Sequence, residues 1–201
     1  MVIVVLASMA AAIVTAQYVD WREQRDKAVE RMRERNMTEE DIVKATEGMD
    51  RLFSNPFVRY GGPLVNGLLA TAIGLLVLAL IYNVMLPLLG GTSSFVRTLA
   101  VVTNAALVTV PGSLLRIVLN VLTRSAEATT SMAALLPNTK NGFLTVILSR
   151  LDPFAVWQLF LAGLGLSVVF DLKGSKSYWL VFSVWALVTL LFAFLGGRAV
   201  R

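Results

Sequence analysis

The side chains of this chain that could do chemistry away from bulk water are amides, hydroxyls and a guanidinium. Asn83, Asn104 and Asn120 fall within long apolar runs, and Arg116 stands one helical turn before Asn120. In hydrocarbon such groups are costly unless they meet one another, bond a neighbouring helix or reach the headgroup layer. Two uses follow. Grouped around the break expected at Pro111-Gly112, they would line a path for a small solute, since interrupted helices near the midplane often do so. Dispersed, the amides bond adjacent helices and Arg116 snorkels to the interface. The chain has no histidine and no cysteine, which removes imidazole acid–base work, thiolate chemistry, disulfides and the commonest soft metal ligands. Serine and threonine occur in the apolar runs without an evident base to activate them. No catalytic residue, no metal site and no cofactor is expected.

The elements that must position these groups are membrane spans. Of 201 residues, 56% are hydrophobic and 15% charged, and the mean hydropathy is +0.70, a surface no soluble domain sustains. Apolar runs at residues 2–19, 64–89, 95–122, 151–170 and 178–195 approach or exceed the roughly 20 residues that cross a bilayer. The expected fold class is all-α: a polytopic membrane helical bundle with five transmembrane helices and a helical hydrophilic segment between the first two. In domain terms, residues 1–19 form the first span, 20–62 the charged helical segment and 63–201 a four-span membrane domain. A secretory signal at the start is disfavoured because the basic leader it needs is missing.

Within residues 20–62, Glu23 and Lys27 have the favourable helical spacing with the acid first. Thr38 followed by Glu39, Glu40 and Asp41 forms a capping signature, with Met37 able to staple onto Ile42. Ile42, Ala45, Met49, Leu52 and Phe53 then give one apolar side to a helix ending before Pro56. Acids slightly outnumber bases in this segment, so nucleic acid is not an expected partner despite the net charge of +5. In the second span Gly67, Ala70, Thr71 and Gly74 make a small-residue stripe. The third is broken or kinked by Pro111-Gly112, because proline lacks the amide for an internal bond and clashes with the preceding turn. Residues 137–142 read as a turn, and the apolar piece 143–148 is too short to cross. Asp152 is an N-cap and Pro153 a first helical residue. Gly163 and Ser167, with Gly165 beside them, offer a face for close helix approach.

Taken in order, Asp152-Pro153-Phe154 with Trp157, then Gly165-Leu166-Ser167, resemble the D-x-F-x-x-W and G-L-S features of the Yip family, the Ypt/Rab-interacting membrane proteins. Pro111-Gly112 and Met37-Thr38-Glu39-Glu40 are similar to bacterial members. The resemblance implies a five-span helical protein, related in eukaryotes to vesicle traffic and small GTPases, and for this chain a bacterial inner membrane location. Eukaryotic relatives carry an N-terminal cytosolic region implicated in partner binding, which has almost no counterpart here, so a GTPase partner is not expected. The expected partners are the lipid bilayer and either further copies of the chain or other membrane proteins. The leading functional expectation is a non-enzymatic protein of membrane organisation or trafficking that works by assembly. The alternative is a transporter or channel component using the proline-broken third span. The face bearing residues 20–62, the third-to-fourth connection and the C-terminus holds most of the lysine and arginine, which assigns it to the cytoplasm. Eukaryotic relatives imply the opposite orientation, and the charge argument is preferred.

Overall fold

Apolar run length, proline and local capping set the helix boundaries. The computed structural model describes residues 1–19, 21–55, 57–124, 130–135, 142–172 and 175–198, and among these the regular elements are helices, with no strand. The turn expected at 137–142 falls mostly outside the described residues, as do Pro56 and Lys173-Gly174 and the side chains of Glu23, Lys27 and Phe53.

Helix α1 is Val2–Tyr18, followed by the charged helices α2, Trp21–Glu34, and α3, Glu39–Ser54. Asn36 lies between α2 and α3 with φ 55, the left-handed conformation that asparagine tolerates at helix ends. The Met37 amide then bonds back to the Met32 carbonyl at 3.1 Å, closing α2. Thr38 caps α3 by accepting from the Asp41 amide at 3.3 Å, as the sequence predicts. The inward side of α3 is Ile42, Ala45, Thr46 and Met49; Leu52, expected there, is exposed. An Arg25–Asp50 pair at 3.6 Å joins α2 to α3.

A π-helical turn, Phe57–Gly61, leads into α4, Gly62–Met85, with Pro63 in its first turn. Pro87 sits in a 3-10 turn, Leu86–Leu89, that ends the span. Next come α5, Phe95–Ala106, and α6, Thr109–Thr123. The interruption predicted at Pro111-Gly112 therefore lies one turn earlier, at Leu107-Val108. The displacement has a steric cause: a proline ring collides with the carbonyl four residues before it, here that of Leu107. Helix α7, Gly142–Arg150, is bent by 57° from α8, Pro153–Val169. It packs on α9, Lys176–Arg198, so the short apolar piece 143–148 is part of the bundle.

Three helical stretches, Phe57–Leu89, Phe95–Thr123 and Lys176–Leu195, are long and apolar enough to cross a membrane; α7 with α8 makes a fourth if the bent pair is one span, and α1 is a shorter apolar helix. The five-span expectation is thus met in part. Successive long segments run in opposite directions: Ser8 and Thr71 link α1 to α4, Gly165 abuts Val101 of α5, and Gly163 abuts Tyr178 of α9. The core lies where α4, α5, α8 and α9 meet, around Ala79, Leu86, Val102, Leu166 and Val181. Outside it, large apolar side chains such as Leu69, Ile73, Val77 and Leu80 of α4 face outward. A helical bundle that is apolar on its exterior is what lipid as solvent permits.

Candidate functional site

Small and polar residues recur on α6 at Thr109, Gly112, Ser113, Arg116 and Asn120, spacings of three and four that line up on one side of a helix. That side meets α1 and α8. Asn120 is fully buried, and its Nδ2 donates to Thr15 Oγ1 of α1 at 3.0 Å. Its Oδ1 is buried without a partner among the described residues, so one end of the amide fixes the α1–α6 contact while the other is unsatisfied. Near the start of α6, Gly112 leaves room for Phe154: a Cβ at that position would stand 2.8 Å from the ring.

Arg116 borders two adjoining cavities. The first, about 400 Å³, lies between α1, α4 and α6 and is lined by Thr15, Pro63, Asn66, Ser113 and Arg116 among others. The second, about 200 Å³, shares Ala11, Ser113 and Arg116 and reaches Thr130 and Asp152. A third, about 270 Å³, lies on the other side of Asp152 and is lined chiefly by apolar residues of α4, α8 and α9, with Gln158 and Thr189.

Asp152 is held from two directions. Its Oδ1 accepts from the Phe154 amide at 2.8 Å, the cap of α8, and Oδ2 accepts from Thr130 Oγ1. The Met132 amide donates to the Leu151 carbonyl at 3.0 Å, so residues 130–132 are tied to the start of α8. Pro153 occupies the first helical position. Two residues before Asp152, Arg150 places its guanidinium over the Phe192 ring, 5.0 Å from the centroid.

The remaining sequence-singled residues separate into distinct places. Gly163 faces α9, where a Cβ would come within 2.6 Å of the Tyr178 ring, and Gly165 faces α5, with Val101 Cγ1 equally close. Two residues are about 200° apart around a helix, so the two glycines serve opposite contacts. Ser167 Oγ donates to the Leu172 carbonyl at 3.2 Å, fastening the turn after α8. Trp157 points outward, 55% exposed, and Pro111 is exposed. Asn104 is exposed on α5, whereas the Asn83 Oδ1 is buried without a partner among the described residues. Asn83, Asn104 and Asn120 line none of the three cavities.

Sequence reasoning missed Thr15, Asn66 and Thr130. Thr15 and Ser8, two helical turns apart in the first apolar run, were the available signal, since isolated hydroxyls in hydrocarbon need partners. Thr130 had none, because its contact with Asp152 joins distant parts of the chain. The sequence pattern described as the Yip1 domain matches residues 1–195. No curated protein and no solved structure matches the chain.

Proposed function

The chain belongs to the Yip1 domain family, and we propose from that membership that it is a five-span, non-enzymatic protein of a bacterial inner membrane. In this reading it assembles with further copies or with other membrane proteins and serves membrane organisation or trafficking. A small GTPase is not among the proposed partners. What supports it is the family match together with a helical bundle whose long segments are apolar enough to cross a membrane.

The observation that carries the assembly reading is the division of small residues on the second span. Gly67 lies against Ala12 and the Ser8 backbone of α1, and the Thr71 hydroxyl donates to Ser8 Oγ at 3.1 Å. Further along the same stripe, two turns after Gly67, a Cβ at Gly74 would meet nothing within 4 Å, and Ala70 beside it is exposed. An alanine and a glycine four apart, unused inside the chain, let another helix approach closely in lipid. Replacing Gly74 by leucine is expected to leave folded yield unchanged and to reduce oligomer size in detergent and in bilayers. Cross-linking and mass photometry of the purified variants test this, and an unaltered oligomer, or a wild-type protein that stays monomeric alone and with co-expressed membrane proteins, overturns the reading.

A further inference from the structure

Arg116 and Asp152 face the same cavity yet form no ion pair with each other. Asp152 has bonds from Thr130 and the Phe154 amide, but both donors are neutral, and Arg150 is turned onto Phe192. No cation pairs with its carboxylate among the described residues. Arg116 lacks a hydrogen bond or ion pair among the described residues, and on its other side it borders a cavity lined by no carboxylate, where Asn66 and Thr15 add donors. Charges of opposite sign set apart across a shared space, Arg116 exposed and Asp152 half-buried, favour a ligand that carries both signs. A single anion or cation would serve one and repel the other.

We propose that the two adjoining cavities form a headgroup site for a zwitterionic phospholipid with a primary ammonium, the phosphoethanolamine class. The phosphate lies against the Arg116 guanidinium, whose planar donors suit phosphate oxygens, with Asn66 and Thr15 as further donors. The ammonium, two carbons away, donates to Asp152 across the second cavity. Together the cavities have the size of a small-molecule site, about 300–1,000 Å³. A phospholipid is favoured over a soluble zwitterion because the neighbours of Arg116 on α6, Leu115 at 44% and Val118 at 51% exposed, give acyl chains an apolar surface beside the headgroup. This inference does not rest on the assembly reading, since one bound lipid requires no second copy.

The test is native mass spectrometry of the delipidated protein titrated separately with phosphatidylethanolamine, phosphatidylcholine and phosphatidylglycerol. Phosphatidylethanolamine is expected to bind about tenfold tighter than either other lipid, the worth of a charge-assisted hydrogen bond. The choline headgroup has no N–H for Asp152, and glycerol has no positive charge. Arg116→Gln should weaken all three lipids. Asp152→Asn, which keeps a capping side chain, should bring phosphatidylethanolamine down to the level of phosphatidylcholine. Thermal unfolding of both variants checks that they are folded, and the comparison among lipids on the wild-type chain needs no variant. Equal binding of the three lipids, an unaltered Arg116→Gln profile, or displacement of the lipid by millimolar inorganic phosphate would each overturn the proposal, the last by making the site one for a soluble anion.

Discussion

Asp152 shows how one side chain can be read in sequence and still acquire a role the sequence hides. A carboxylate before proline at the head of an apolar run predicts a cap, and the Phe154 amide at 2.8 Å is that cap. The second bond, from Thr130, ties in a segment from before α7. Asparagine retains an acceptor for the cap and polar atoms for Thr130, so Asp152→Asn is expected to change thermal stability little. Asp152→Ala loses both bonds and should cost on the order of 1 kcal/mol for the cap alone, measured by thermal unfolding in detergent. If asparagine proved as destabilising as alanine, the charge itself would be holding the fold and the capping account would fail.

At the scale of elements, glycines with the same sequence signature have different tasks. Gly163, Gly165 and Gly112 are places where a neighbouring side chain occupies the volume a Cβ needs, with contacts of 2.6–2.8 Å to Tyr178, Val101 and Phe154. The obstructing atoms belong to ring systems and a β-branched side chain near their backbones, which yield less readily than the tip of a long side chain. Alanine at Gly163 or Gly165 should therefore lower stability by about 1–3 kcal/mol, the usual cost of overpacking. Gly74→Ala should be neutral or mildly stabilising, because its surroundings are open and alanine favours helix. Unfolding midpoints of the three variants supply the comparison, and equal losses at Gly74 and Gly163 would contradict the assignment of open space to one and a filled contact to the other. The break in the third span belongs to this scale too. Pro111 made it predictable, and its position at Leu107-Val108 follows from where the ring collides.

For the whole molecule, the alternating directions of α1, α4, α5 with α6, α8 and α9 put residues 54 and 175 at opposite ends of the bundle. The chain has no cysteine, so single cysteines at Ser54 and Ser175 can be labelled without background. An impermeant maleimide applied to intact, right-side-out vesicles should reach Ser175→Cys and spare Ser54→Cys, as the excess of basic residues on the side of residues 20–62 requires. The reverse pattern would keep an odd number of crossings but invert the orientation, and labelling of both from one side would remove the odd count.

The sequence by itself determined the membrane class, the helical fold and most element boundaries, because these depend on local quantities: apolar run length, the amide missing from proline, and capping groups within a few residues of Thr38 and Asp152. It also carried the family resemblance, since motif order is a one-dimensional property. The tertiary structure decided which side of each helix is inside. Gly74 and Gly163 are indistinguishable as letters, yet one faces open space and the other a tyrosine ring. It decided as well that Asn120 bonds Thr15 while Asn104 faces outward, and that Arg116 and Asp152 share a cavity. The reason is physical: a span apolar on all sides has no amphipathic period to mark its buried face, so its orientation comes only from the shape of the helices packed against it.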